Sequence, residues 1–369
     1  MSYPDEIISV NPIEEAESRI QDSLNNSILN LLLETSTFSS EEWRKYSYEG
    51  AYHLDLTKLI NRALALTNLG FSGRDIIEYT RVGGTVSYAS RISNLFSATG
   101  YDIYRYRRAN IFNGSASSLN FAEELAAINY KDQPVFSSGY NLLRATWLGV
   151  SIETAEDLAA LGHNADEIIQ LTFLNKIGLS PDFQYPEFIE TDRPNLRIVM
   201  PYYERNGAFY HPNFLRFLRN IVQNYDTRVT FADTEETAFP FIGKDNLTII
   251  AGHGSHESIQ LGGPNQRYFI SDERWLIDRS DEELSRFSSL PENSIVVMIS
   301  CNTAGNWEIR STLANDLSNF LNLEKNITLY AAEDAIDINY TNWVTISSIN
   351  PLVLRFYNNE GEEITYISK

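Results

Sequence analysis

The chain has 369 residues, more than one ordinary domain holds around a single core, so two domains are expected. Its hydrophobic content of 43% suits a globular protein, and its formal net charge of −20 argues against nucleic acid or an anionic membrane surface as the main partner. The single cysteine, Cys301, excludes an intrachain disulfide and any zinc site built on several cysteines.

The opening residues, Met1 to Glu6, show no basic region followed by an apolar run, and no charge-free apolar run is long enough to span a bilayer. The expected location is the cytoplasm, with export as an effector left open. Residues 1 to about 185 read as helical. Asn11-Pro12 is a helix start, and Ile13, Ile20, Leu24, Ile28, Leu31 and Leu32 follow at helical spacing. Three junctions share one pattern: Leu69-Gly70-Phe71-Ser72, Leu148-Gly149-Val150-Ser151 and Ile177-Gly178-Leu179-Ser180. In each, Gly takes the left-handed position that closes a helix, the apolar residue folds back, and Ser caps the next helix. Their spacing is irregular, so no solenoid repeat is assigned. The segment 180–194, with Pro181, Pro186 and Pro194, reads as the linker between domains.

Beyond the linker the period changes. Leu196 to Met200, Arg228 to Phe231, Leu247 to Ala251, Ser294 to Ser300 and Asn326 to Ala331 read as strands. His211 to Tyr225, Asp281 to Phe287 and Glu308 to Leu321 read as helices between them. Hairpins are expected over Ser258 to Ile270, around Gly262-Gly263-Pro264-Asn265, and around 358–361, the latter joining Leu352–Tyr357 to Glu363–Ile367. Strands alternating with helices predict an α/β domain over 195–369 with a largely parallel central sheet flanked by helices, after an all-α domain over 1–185.

Two of those strands end on reactive side chains. Leu247 to Ala251 leads into Gly252-His253-Gly254, and Ser294 to Ser300 leads into Cys301. The carboxyl ends of parallel strands open into the crevice where α/β proteins place their chemistry, so His253 and Cys301 are expected at one sheet edge. A thiol at its free pKa is mostly protonated at neutral pH, and a nearby imidazole and a following helix start both favour the thiolate. The same imidazole then protonates a leaving amine. The N–H groups of Gly254 and Cys301 are candidate oxyanion donors, and Thr303, Ala304 and Gly305 keep the cleft open.

The blocks Ile-Ile-Ala-Gly-His-Gly-Ser (249–255) and Val-Met-Ile-Ser-Cys-Asn-Thr-Ala-Gly (297–305) resemble the two active-site blocks of the clan CD cysteine peptidases. That clan includes caspases, gingipains and separases; the CHAT-domain proteases and the self-cleaving cysteine protease domains of large bacterial toxins look most similar. The resemblance covers roughly 196 to 340 and leaves the helical half unmatched. It implies a caspase-like α/β sandwich with a His–Cys dyad, in which His253 matches the clan histidine, Cys301 the nucleophile, and Gly254 with Cys301 the oxyanion donors. It also implies that the strand 326–331 and the turn after it line the pocket for the residue before the scissile bond. That stretch is Ala331-Ala332-Glu333-Asp334, with Asp337 three residues on. Small alanines leave room for a long side chain, and a carboxylate of Asp334 or Asp337 would pair with Arg or Lys. Unlike the toxin domains, which bind inositol hexakisphosphate through a basic cluster, this chain is acidic in the comparable domain, with Asp272, Glu273, Asp278, Asp281, Glu282 and Glu283 close together.

The resulting expectation is a cysteine endopeptidase that forms an acyl-enzyme on the His253–Cys301 dyad and cuts after a basic residue, with Leu in an apolar pocket, the carboxylates then lying in a solvated turn, or Asp as the alternatives at that position. It implies a protein or peptide substrate, a helical domain that recruits substrate or binds a regulatory protein, and no cofactor, nucleic acid or membrane partner. The alternatives are an inactive caspase-like scaffold or binding protein, and a thiol acyltransferase or deamidase on the same dyad. For single residues, Cys301 as a buried core cysteine and His253 as a turn histidine stand against the catalytic roles. His256 and Glu257 near His253 suggest a metal site, but no third ligand follows at useful spacing and no His-Glu-x-x-His helix is present, so no metal is expected.

Overall fold

The structure, a computed structural model, describes residues 27, 30, 38–50, 56–112, 118–180, 193–201, 207–232, 246–254, 259–260, 276–277, 286–300, 316–317, 327–332 and 365–367. The chain divides into two compact units, Met1–Ala165 and Asp166–Lys369.

In the first unit the described helices are α1 (Ser40–Gly50), α2 (Leu56–Asn68), α3 (Gly73–Arg81), α4 (Val86–Phe96), α5 (Gly100–Phe112), α6 (Ser118–Ala126), α7 (Gly139–Leu148) and α8 (Ile152–Ala160). The Leu-Gly-x-Ser junctions behave as their chemistry demands. Gly70 and Gly149 have φ of 80° and 65°, and the next residue returns its N–H to a carbonyl of the closing helix, Phe71 to Leu66 at 3.2 Å and Val150 to Ala145 at 2.9 Å. Phe71 and Val150 are thereby buried. Ser72 and Ser151 then cap α3 and α8, Ser72 in a reciprocal pair with Asp75. Gly100 is needed for this packing, since a Cβ there would lie 2.3 Å from the Phe71 Cα. The core gathers Leu59, Ile76, Ile92, Phe96, Ile103, Leu125, Phe136 and Leu142. Arg105, 6% exposed, is accommodated between the rings of Tyr101 and Trp147, 5.1 and 4.8 Å from their centroids.

One feature departs from the helical expectation. β1 (Asn129–Tyr130) and β2 (Gln133–Pro134) form an antiparallel hairpin. Lys131 and Asp132 connect them with φ of 50° and 63°, the doubly left-handed turn that suits strand twist.

The second unit opens with α9 (Ala165–Ile177, whose first residue belongs to the first unit). Phe173 of α9 packs edge-on against Tyr210 and Phe231, with centroids 6.3 and 5.3 Å apart. The boundary between the two compact units falls after Ala165, the first residue of α9; most of the Pro-rich segment expected as the linker lies outside the described residues. The third junction closes α9 as the others do: Gly178 has φ of 87° and the Leu179 N–H reaches the Leu174 carbonyl at 2.9 Å.

The sheet strands are β3 (Asn195–Pro201), β4 (Asp226–Ala232), β5 (Leu247–Ala251), β9 (Ile295–Ile299), β10 (Thr328–Ala332) and β11 (Thr365–Ile367). A second, three-stranded antiparallel sheet takes β6 (His253–Gly254), β7 (Ile259–Gln260) and β8 (Leu276–Ile277). The main sheet has the order β4-β3-β5-β9-β10-β11, parallel throughout except for β11, which runs antiparallel to β10. The mixed α/β class with a largely parallel sheet is thus present. β3, β5 and β9 are buried along almost their whole length, which is why apolar residues predominate on both faces rather than alternating; Arg197 in β3 and Thr248 in β5 are the polar interruptions, and both are buried. α10 (Pro212–Val222) follows β3, starting where the His211 imidazole Nδ1 accepts the Asn213 N–H at 3.2 Å. It buries Phe214, Phe217, Leu218 and Ile221.

From β3 the chain first adds β4 on one side, then crosses to add β5, β9 and β10 on the other. The direction reverses between β3 and β5, so the crevice of a doubly wound sheet opens outside the carboxyl ends of these two strands. Arg286–Ser289 is a short 3₁₀ turn and Asp316–Leu317 is helical. The rest of the expected helices 281–287 and 308–321, the turns at 262–265 and 333–337, the strand 352–357 and the helix start at Asn11 lie outside the described residues. The described partner of β11 is β10. Among the described residues no helix is long and apolar enough to cross a membrane.

Candidate active site

β5 and β9 are parallel neighbours whose ladder ends on the pair Ala251 and Ile299. One more bond continues it: the Gly252 N–H reaches the Ile299 carbonyl at 3.2 Å. The two chains thus leave the sheet side by side. On the β5 side the next residue is His253. On the β9 side the next is Ser300, 2% exposed, and after it Cys301. His253 and Cys301 each stand two positions beyond the last paired residues. Cys301 itself lies outside the described residues, as do Glu333, Asp334 and Asp337. Ala332 ends β10, its backbone paired with Thr365 of β11.

His253 and Gly254 do not continue the main sheet. They form β6, pairing antiparallel with β7 so that His253 faces Gln260 and Gly254 faces Ile259. β7 in turn pairs with β8. The flanking glycines Gly252 and Gly254 allow the backbone to leave one sheet and enter another within a few residues. The His253 imidazole is half-buried and rests against the ring of Phe209, with centroids 5.6 Å apart and planes inclined by 60°. Phe209 is 4% exposed and belongs to a short 3₁₀ turn (Ala208–Tyr210) between β3 and α10; Phe214 holds it edge-on at 5.5 Å. The segment between β3 and α10 therefore meets the residues after β5, the two strands that border the crevice.

Phe209 and Gln260 are the site neighbours that sequence reasoning missed. Phe209 sits in Gly-Ala-Phe-Tyr, which carries no period, and Gln260 sits in a strand too short to show one. On the opposite flank, Tyr330 of β10 is buried, and burial pushes its phenol above the ordinary value, so it stays neutral at physiological pH. Among the described residues no group of three His, Cys, Asp or Glu side chains converges as a metal site.

What this arrangement offers chemically is an imidazole at a strand end, backed by an aromatic ring, with the neighbouring strand end leading into the chain's single thiol. Comparison of the chain with family models, with curated proteins and with solved structures finds no match.

Proposed function

We propose that the chain is a cysteine endopeptidase of the caspase-like, clan CD kind, with His253 and Cys301 as its dyad and the N-terminal helices as a domain that recruits substrate or receives a regulator. The observation that carries this reading is the parallel register of β5 and β9, which end together at Ala251 and Ile299 with the Gly252 to Ile299 bond beyond. Two residues on from that pair stand the only cysteine and a histidine, at the sheet edge where α/β proteins place chemistry.

The chemistry then follows from the groups. The imidazole of His253 takes the Cys301 proton, and the thiolate attacks the carbonyl carbon of the scissile bond. The oxyanion is received by the N–H groups of Gly254 and Cys301. The imidazolium gives its proton to the departing amine, leaving a thioester on Cys301. Water, deprotonated by the imidazole, attacks the thioester; the acid leaves and the thiol is restored. The residue before the cut is Arg or Lys, paired with Asp334 or Asp337 beyond Ala332 and Glu333. A working free thiol fits a reducing compartment such as the cytoplasm.

The test is mass spectrometry of peptide-library digests by the wild type beside Cys301→Ala and His253→Ala. Loss of turnover by about a hundredfold or more in each variant is expected, with cuts after Arg or Lys. Near-wild-type cleavage by Cys301→Ala would sink the proposal. Absence of any cleavage, together with a Cys301 thiol no more reactive to iodoacetamide than glutathione, would favour a binding protein on this fold.

A further inference from the structure

The chain is acidic as a whole, but its charge is unevenly spread. It holds 29 Lys or Arg against 49 Asp or Glu, yet between Leu56 and Phe112 the count is eight against three. Of these cations, Arg81 pairs with Glu78, Arg91 pairs with Glu123, and Arg105 lies between two rings. Arg62 of α2 and Arg107 of α5 are different. Both are half-buried, neither is paired with a carboxylate among the described residues, and the Nε of each is enclosed without a hydrogen bond. One short segment brings them together. Arg62 donates from Nη2 to the Gly84 carbonyl at 2.7 Å, and the Arg107 guanidinium lies over the Tyr88 ring, 5.3 Å from its centroid. Between those contacts Thr85 accepts the Tyr79 hydroxyl on its carbonyl at 2.9 Å and the Tyr88 N–H on its own hydroxyl at 3.2 Å. A Cβ at Gly84 would lie 2.3 Å from the Tyr79 ring, so the segment sits directly on that ring. Burial and then Tyr88 raise the Tyr79 pKa, and both guanidiniums pull against them, so both charges reach that one phenol.

Taking a guanidinium partly out of water with a donor unmet is costly, and two such cations on one segment also repel each other. An anion shared between them offsets both costs. Two positive charges without a counter-charge call for a dianion. A phosphate monoester carries about −1.5 to −2 at neutral pH and presents three acceptor oxygens, and an arginine fork meets two oxygens at once. A single carboxylate supplies one charge and satisfies one fork. We propose that Arg62 and Arg107, held at the two ends of the segment 84–88, form a binding site for a phosphate dianion, free or carried as a monoester on a side chain of a partner protein. The site lies wholly on the first unit and stands whether or not His253 and Cys301 cut peptides.

The experiment uses the full-length protein and two probes, inorganic phosphate and the N-acetylated amide of phosphoserine, at constant ionic strength set with chloride. Isothermal titration calorimetry reads affinity and stoichiometry. The wild type is expected to bind one phosphate per chain with a Kd of about 1 mM or below. Arg107→Gln and Arg62→Gln are each expected to weaken binding about tenfold or more, the worth of a charge-assisted hydrogen bond. Arg74→Gln removes the same charge from an exposed position on α3 and is expected to leave the affinity within about twofold. Circular dichroism checks that each variant is folded. Arg62 also holds the Gly84 carbonyl, so Arg62→Lys takes its place if Arg62→Gln does not fold; it keeps the charge, loses the fork and still weakens binding. Tighter binding of the phosphoserine probe assigns the group to a partner's side chain, tighter binding of inorganic phosphate assigns a free anion, and either upholds the site. No saturable binding by the wild type overturns it. So does an equal loss in Arg74→Gln and Arg107→Gln, which would mean diffuse attraction to the basic stretch and no site.

Discussion

The two units reach order by different routes. In the first, the decisive interactions span a few residues. Ser72 Oγ accepts the Asp75 N–H at 3.2 Å, Asp75 accepts the Ser72 N–H at 3.2 Å, and Phe71 folds back onto Leu66. At the Gly70 and Gly149 junctions one helix is closed and the next opened by residues adjacent in sequence. In the second unit the decisive partners are distant in sequence: Ile249 stands beside Ile198 on one side and Val297 on the other. Closing such loops costs chain entropy before any contact is made, and the gain comes only when the register is complete. The first unit is thus a set of separable local increments. The second is one register, in which a shift of β5 is felt at Ala251 and Ile299, and hence at the candidate site.

The strongest test of that contrast is a cavity. Ile249→Ala removes a fully buried side chain from the middle of β5, and Ile92→Ala removes one from α4. Each is expected to cost about 2–5 kcal/mol. The distribution should differ. Amide hydrogen exchange followed by mass spectrometry should show Ile249→Ala lowering protection in β3, β5 and β9 together while α3 and α4 keep theirs, with Ile92→Ala doing the reverse. Equal loss in both units for either variant would mean one cooperative core and would end the distinction.

The same contrast explains what could be read from the residues alone. The strands β3, β5 and β9 were legible because burial on both faces leaves a predominantly apolar run that little else produces. The junctions at Gly70, Gly149 and Gly178 were legible because a left-handed residue and a fold-back apolar side chain leave a four-residue signature. The hairpin 129–134 was not, because its turn is made by Lys131 and Asp132 in place of the Asn-Gly or Asp-Gly that announces such a turn. The strand 259–260 falls within the hairpin expected over Ser258 to Ile270, but its pairing with His253 and Gly254 was not legible, because these strands are two residues long and show no period. The placement of α9 with the sheet depends on where Phe173 finds its aromatic partners, a matter of tertiary packing. At the site, the strand end bearing His253 was visible, but the ring and the amide around it were not, because both arrive from segments without a pattern.

A smaller effect, alkaline sensitivity, sharpens the comparison. Burial pushes the Tyr46 phenol up to about 12, with Arg62 pulling the other way. Tyr79 is pushed up further, by burial first and by Tyr88 second, against Arg107, a backbone hydrogen bond at Thr85 and Arg62. Both lie in the first unit. A phenol whose folded pKa is raised stabilises the fold below its unfolded value near 10, and that contribution is lost as pH rises through the folded value. Urea midpoints should therefore fall between about pH 10 and pH 12. Tyr46→Phe gives up the bond to the Leu59 carbonyl, about 1 kcal/mol at neutral pH, but flattens the alkaline slope. An unchanged slope in Tyr46→Phe would assign the loss to other groups.

The smallest predicted effect isolates the local route most cleanly. Ser72→Ala removes the acceptor for the Asp75 N–H and also the hydroxyl that donates to the Asp75 carboxylate at 2.6 Å. Asp75 is 9% exposed, so its carboxylate is left with less solvent to replace the lost donor. Ser151→Ala removes a plainer cap: the hydroxyl accepts the Thr154 N–H at 3.1 Å and donates to the exposed Thr154 hydroxyl at 2.7 Å. N-cap truncations cost about 0.5–2 kcal/mol, and Ser72→Ala should lie toward the upper end with Ser151→Ala below it. Chemical denaturation ranks the two, and hydrogen exchange locates them. Loss of protection should be confined to the first turn of α3 in one variant and of α8 in the other, with β5 and β9 unaffected. If Ser72→Ala lowered protection along β5 as much as in α3, the first unit's caps would be tied to the second unit's register, and the division between local and long-range order would fail at its most local point.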